Sequence, residues 1–394
     1  MQLFLTAFES VPDPRAENVR HDLVEILLIA FLAILCGAQH CSEMAEFGRA
    51  KVRFLKRFLK LKHGIPSHDT FSTVLRMLDP KALDTAFGRL TATIVAALAK
   101  GGVIAIDGKS LKGAYEKGEK SSPRMMVSAY AAGLRLTLAT VAAKNRNEVD
   151  AALEVIGLID LKGKIVTADA LHCNRRMVAT IIEKGGDYCI ALKGNQDSLL
   201  SDARACLAKA DEPKAKKKHP VAKTEASGHG RVETRVGVVV EAKGLAEYHE
   251  FPGLKAFGRI EATRVIDGRT ETDVRIFVLS RKLSPQALLE TARAHWQIEN
   301  RLHWQLDVSF GEDAARNRKD NGPANIAVIR RRALDVARLD QSKGSLTAKL
   351  KRAGWNDEFM QKLLGQRESN DLGVPFTCSA HRAGQPIGRP QFPA

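Results

Sequence analysis

Aromatic residues are scarce, at 6 % of 394, which argues against a platform for stacking unpaired bases. The six cysteines (Cys36, Cys41, Cys173, Cys189, Cys206 and Cys378) are scattered and contain no CxxC pair. Zinc ribbons and disulfide frameworks need clustered spacing, so these read as reduced thiols of a cytosolic protein. Long hydrophobic runs are missing too. The most apolar stretch, Ile26 to Ala38, falls short of the roughly 20 residues a bilayer span needs, and it follows Asp22 and Glu25 rather than a basic segment. It reads as a buried core helix, and no membrane partner is expected. Acids are also in deficit: 45 Asp+Glu face 61 Lys+Arg, a net charge of +16. That surplus favours a polyanionic partner, nucleic acid ahead of a membrane surface.

Apolar residues still make up 44 % of the chain and charged ones 27 %, enough for a sizeable core. The length suggests two or three domains. Residues 1–98 read as helical, with helical apolar spacing through Leu23 to Leu35 and Phe71 to Leu78, and Ser67 after Pro66 as a helix cap. Between these runs lies RAKVRFLKRFLKLK. Its Arg49, Lys51, Arg53, Lys56, Arg57, Lys60 and Lys62 interleave with Val52, Phe54, Leu55, Phe58, Leu59 and Leu61, and no acid falls among them. The spacing predicts one amphipathic basic helix that contacts phosphates, the plain alternative being a solvated helix face.

From about residue 100 the texture changes. VIAID, MMVSAY and LRLTLATVAA predict three strands in a meander. A helix, KIVTAD, a helix capped by Asn174 and DYCIALK follow, so residues 99–196 read as an α/β sheet of mixed direction. Residues 197–283, with a lysine-rich stretch at Lys214, Lys216, Lys217 and Lys218, read as a mostly β insertion. In 284–364 a helix starts at Ser284 and Pro285 and is expected to reach about Trp304. More helix is expected from Pro323 to about Leu364, with Arg330, Arg331 and Arg332 as a basic block. Residues 365–394 lack periodicity and are expected to be disordered.

Asp107 closes the first of these strands and Asp169 the fourth. Carboxylates at strand ends of an α/β sheet lie where ligands usually bind. If strands one and four are neighbours, the two side chains converge, which raises a pKa or recruits a divalent cation. Either residue alone reads equally as a turn former or a cap. The helix after Pro285 offers a third acid: His295, Glu299, His303 and Asp307 fall at i, i+4, i+8 and i+12, on one face. Trp296 and Trp304 form a neighbouring stripe, expected to be packing anchors. The two histidines are eight apart and do not match HExxH, so zinc is set aside.

VIAIDGKSLKG, KIVTADALHC, DYCIALKGNQ, GHGRVETR and HWQIENRLHWQLDVSFGED, in that order, resemble the DDE transposases of bacterial insertion sequences. More narrowly they resemble the H-repeat-associated branch, as do GIPSHDTF and FPGLK. The resemblance runs from residue 10 to about 364. It implies a ribonuclease H-like core with a mixed five-stranded sheet, a helical N-terminal DNA-binding region and a β-rich insertion ahead of the helix bearing the last acid. The family's acids fall on Asp107, Asp169 and Glu299. Where the wider group has a Tyr and an Arg before its Glu and a Lys after it, this chain has Ala292, His295 and Leu306. His295, Asn300 and His303 stand by position as groups that hold the transferred strand. Lys193, Asn195 and Gln196 beyond the fifth strand, and His229 and Arg231 in the insertion, are expected DNA contacts, with ordinary polar turns as the alternative.

The chemistry so implied is phosphoryl transfer with two Mg2+ (or Mn2+) ions about 3.5–4 Å apart, held by the three carboxylates. Oxygen-only ligands suit these ions. The implied partner is double-stranded DNA, both element ends and target, bound by a homodimer in the cytoplasm at the nucleoid. Two readings compete: a catalytically inactive or repurposed DNA-binding descendant, and a stand-alone metal-dependent nuclease.

Overall fold

A helix that is apolar on every side has to be surrounded, and the charge-free run near the N-terminus is such a helix. The computed structural model describes residues 2–96, 102–115, 122–212, 219–228, 231–266 and 269–365. The expected tail and the Lys214–Lys218 stretch lie outside the described residues. Helix α1 (Gln2–Glu9) precedes α2 (Leu23–Leu35), which Asp22 starts by accepting the Val24 and Glu25 N–H groups. Every side chain from Ile26 to Leu35 is buried. Around it stand α3 (Cys41–Ala50), α4 (Val52–Leu55), α5 (His68–Met77) and α6 (Pro80–Ala96). Ser67 caps α5 through the Thr70 N–H, as its place after Pro66 predicts. Among the described residues no helix is long and apolar enough to cross a membrane.

The basic segment is not one helix. The chain breaks at Lys51 between α3 and α4, turns after Leu55, and takes a left-handed conformation at Leu61, whose N–H donates to Glu25. Its apolar side is nevertheless turned inward, with Phe54, Leu55, Leu59 and Leu61 buried. Acids distant in sequence or outside the segment neutralise two of the cations: Lys51 pairs with Asp357 at 2.7 Å and Arg49 with Glu46 at 2.6 Å. Arg53, Lys56, Arg57, Lys60 and Lys62 stay exposed.

The sheet is mixed and has nine strands in the order β3-β2-β1-β4-β5-β9-β8-β7-β6. Strands β1 (Val103–Leu111), β2 (Arg124–Ala131) and β3 (Leu136–Ala142) form an antiparallel meander. Next come α7 (Glu148–Gly157), β4 (Ile165–Ala168), α8 (Arg175–Glu183) and β5 (Asp187–Leu192), with β4 parallel to both β1 and β5. Asn174 caps α8 as expected. The 197–283 segment opens with a helix, α9 (Asp197–Asp211). Its strands β6 (Val221–Gly228), β7 (Arg231–Glu241), β8 (Ala256–Ile266) and β9 (Arg269–Leu279), with α10 (Leu245–Tyr248) between β7 and β8, extend the same sheet because β9 pairs antiparallel with β5.

Ser284 caps α11 (Pro285–Gln297), again as expected. The helix does not stop near Trp304: it passes through a π-helical turn (Ile298–His303) into α12 (Trp304–Phe310). The helical stretch from Pro323 is three helices, α13 (Gly322–Leu339), α14 (Leu346–Trp355) and α15 (Asp357–Leu363), because Ser345 and Asn356 each cap a new start.

The Arg330–Arg332 block overturns its charge-based reading. All three side chains are buried. β3 is an edge strand, and an edge leaves N–H and C=O groups unpaired; α6 and α13 supply their partners. Asp335 accepts the Thr137 N–H at 3.1 Å and Asp84 the Thr140 N–H at 3.0 Å. Arg332 donates to the Thr137 and Leu138 carbonyls and to Asp84 at 2.6 Å. Arg331 pairs with Glu312 at 2.9 Å, both side chains fully buried. Removing the cation would strand two buried carboxylates, so Arg332→Met should cost about 3–5 kcal/mol in chemical denaturation. An unchanged midpoint would refute this account of the edge.

Candidate active site

Two parallel strands that part company leave a wedge between them, and β1 and β4 do so. Their pairing ends at Ala105 opposite Thr167. Asp107 and Asp169 each lie two residues beyond that pair, so alternation sends both toward the same side of the sheet. β1 itself continues to Leu111, paired only with β2 beyond this point. Asp107 therefore sits in mid-strand instead of ending it. Its Oδ1 accepts the Gly108 N–H at 2.9 Å. Asp169 caps a short 3-10 turn through the Leu171 N–H at 3.0 Å.

The α11–α12 helix lies across this wedge. In an α-helix, positions four apart drift by about 40° per step, so a face of four such residues would wind away from the sheet. The π-turn at Ile298–His303, with its wider i→i+5 bonding, takes up part of the drift. All four polar residues consequently reach β1 or β4. His295 Nδ1 lies 3.1 Å from Thr167 Oγ1. Glu299 and His303 face Asp107, with His303 Nδ1 3.5 Å from both Asp107 Oδ2 and Glu299 Oε2. Asp307 meets Lys109 at 2.9 Å.

Asp107, Asp169, Glu299, His295 and Lys193 line one cavity of about 360 Å3. Burial, then the hydrogen bond and charge of Glu299, push the Asp107 carboxyl well above the ordinary range. Half-exposed Glu299 is held below its usual value, mainly by the His303 hydrogen bond. The two carboxyls are thus pushed in opposite directions, Asp107 up and Glu299 down. Burial takes His295 down to about 4, so its ring is neutral at pH 7.

The other expected contacts divide. Asn195 and Gln196 turn inward and donate to the Ala170 and Cys173 carbonyls at 2.7 and 3.1 Å. They pin the loop that carries Asp169. His303 is buried at 6 % exposure, inside the site rather than along its rim. Asn300 lines a second cavity of about 580 Å3, ringed by Arg135, Arg235, Arg264, Arg275, Arg293 and Arg301 against Glu233 and Asp273. His229 lies outside the described residues, as does the Arg231 side chain. The tryptophan stripe is not a packing anchor: Trp296 and Trp304 are 41 % and 55 % exposed. Trp296 instead lies under the Arg275 guanidinium at 4.6 Å and forms a wall of both cavities.

Sequence reasoning missed Lys109, which is buried and held between Asp307 and Asp313, each at 2.9 Å. It ties the strand of Asp107 to the segment after Glu299. A buried Lys in the DGKSLKG motif was the available signal. It also missed Glu148, whose carboxylate lies 3.3 Å from the ring of buried His172, itself 3.9 Å from Asp169. Nothing in the local sequence marks that pair.

The family described as "Transposase DDE domain" matches residues 98–334, and "DDE_Tnp_1-associated" matches 5–91. The chain is similar to the "H repeat-associated putative transposase YhhI" of Escherichia coli K12, 30 % identical over 90 % of this chain and 95 % of that one. It is likewise similar to the "Putative transposase YncI" of E. coli O157:H7, 30 % identical over 92 % of this chain and 95 % of that one. Among solved structures, a piggyBac transposase synaptic complex with hairpin DNA aligns at a TM-score of 0.41 and 12 % identity, covering 94 % of this chain and 82 % of that one.

Gly113 and Gly108 offer a contrast that tests the packing around β1. A Cβ at Gly113 would stand 2.2 Å from the Ala315 carbonyl oxygen, a backbone atom, whereas one at Gly108 would meet the Glu148 carboxylate, the end of a side chain, at 2.4 Å. Gly113→Ala should therefore cost about 1–3 kcal/mol and Gly108→Ala less, read by urea denaturation. The reverse order would contradict the placement of the 312–315 segment.

Proposed function

The chain belongs to the transposase DDE domain family, and from that premise we propose that it is an active insertion-sequence transposase. It binds the terminal inverted repeats, cuts at the element's ends and joins the freed 3′ ends to a target. The observation that carries the proposal is the wedge between β1 and β4, where Asp107, Asp169 and Glu299 border one cavity with six arginines around the next.

We read β1–β5, in the order β3-β2-β1-β4-β5, as a ribonuclease H-like core spanning 99–196. Residues 197–283 are its insertion, 284–364 its return, and 1–98 a helical DNA-binding region. Asp107, Asp169 and Glu299 are the residues that would hold Mg2+ or Mn2+, two ions in all. Their oxygen donors suit hard cations, and the charge of Glu299, which pushes the Asp107 carboxyl up, is what a cation between them would offset. Ions held there would supply Lewis-acid chemistry, activation of a water or a 3′ hydroxyl and stabilisation of the leaving 3′ oxygen.

The protein's own groups do the rest. To serve as a ligand, Asp107 would give up the proton that burial and Glu299 favour on it. The arginines of the second cavity and Lys193 hold phosphates on either side of the scissile bond, sequence-independently and with strong salt dependence. Neutral His295 fixes the helix of Glu299 against β4. The working form is a homodimer that holds two ends together, at the nucleoid in the cytoplasm.

The test is incubation with a plasmid carrying the element's ends and Mg2+. Cleavage at the ends should fall more than about 100-fold in Asp107→Asn and in Glu299→Gln, since losing a ligand should cost no less than losing its outer support. DNA retarded but uncut by the unmodified protein would favour a repurposed DNA-binding descendant, and indiscriminate cutting a nuclease. A monomer complexed with paired ends would refute the homodimer.

A further inference from the structure

We propose that His303 is itself a metal ligand, so that one cation site of this protein is built from two carboxylates and an imidazole rather than from carboxylates alone. The proposal rests on the metal-dependent reading of the wedge. One ligand atom each from Asp107, Glu299 and His303 lie within 4.8 Å of one another. Two donors that share an ion at about 2.1 Å lie roughly 3.0 Å apart in cis and 4.2 Å in trans, and the 3.5 Å separations of His303 Nδ1 from Asp107 Oδ2 and Glu299 Oε2 fall in that interval. They are also longer than the 2.7–3.2 Å typical of a good N–H···O bond. One ring nitrogen therefore reaches both acids at once, at distances that make only a weak hydrogen bond to either and that suit one corner of a coordination shell.

Burial supports the same assignment. His303 is 6 % exposed, and its Nε2 is buried without a hydrogen-bond partner. Both acids lie at Nδ1, so that nitrogen, and not Nε2, is the one presented to a cation. What brings it is the π-turn, which lays Glu299 and His303 side by side toward β1, and such turns concentrate at functional sites.

An imidazole in the shell has a chemical consequence. Mg2+ demands oxygen donors and near-ideal geometry, whereas a mixed oxygen–nitrogen set suits a transition ion better. Mn2+ should therefore bind this site more tightly than Mg2+, and His303→Gln should narrow the difference.

Mn2+ also supplies the direct readout. The full-length protein, without DNA and in a nitrogen-free buffer, is titrated with Mn2+ and examined by pulsed EPR. Nitrogen modulation from a directly bound imidazole is expected in the unmodified protein and in His295→Gln, and absent in His303→Gln. Mn2+ affinity should fall at least about tenfold in His303→Gln. Bound Mn2+ that shows no nitrogen modulation, yet is released by Glu299→Gln, would overturn the assignment and leave the carboxylate site standing. Failure to bind Mn2+ at all would overturn both. The unmodified spectrum decides the matter even if a variant fails to fold.

Discussion

An unsatisfied strand edge is the constraint around which this chain is organised. β3 ends the sheet, and its outward peptide groups would otherwise face water or another chain. Arg332, Asp335 and Asp84 answer them one by one, which docks α6 and α13 to the sheet. Arg331, next in line, reaches Ser128 on β2 and Glu312 just beyond α12. One helix thus positions the sheet edge, the helical layer and the segment that follows Glu299. Buried ion pairs contribute little net stability; here their value is geometric, because each carboxylate and guanidinium is matched to particular peptide groups of the edge.

That network changes how the net charge is understood. A surplus of +16 invites every cluster of cations to be assigned to DNA. Three arginines belong instead to the interior, and Lys51 and Arg49 are answered by acids. The largest gathering of arginines around a cavity is assembled from afar: Arg135 from the meander, Arg235, Arg264 and Arg275 from β7, β8 and β9, where Glu233 and Asp273 answer them in part, and Arg293 and Arg301 from the helix across the wedge. No window of sequence contains it.

Legibility followed range. Caps at Ser67, Asn174 and Ser284 were readable because a cap is a contact over three residues. The strands and the polar face of His295, Glu299, His303 and Asp307 were readable because periodicity is local. The Arg330–Arg332 block misled because its partner Asp84 lies 248 positions away from Arg332. The tryptophans misled because apolar spacing cannot announce that Arg275 will cover Trp296. The π-turn was invisible for a related reason: it exists only because both ends of the helix are held to the sheet.

Helix phase in this protein is a matter of counting. The segment from His295 to Asp307 touches the sheet at both ends, at Thr167 and at Lys109, with the π-turn between. Loss of one residue from that turn would be absorbed by reversion to ordinary α-helix, but gain of one more, in a turn that already carries the wider spacing, would rotate everything downstream by about 100°. No side chain would change character, and composition and hydropathy would be nearly untouched. Yet Asp307 would swing off Lys109 and His303 away from Asp107. Length between anchors therefore carries information here that residue identity does not, and insertions within 298–303 should be far less tolerated than substitutions on its exposed side.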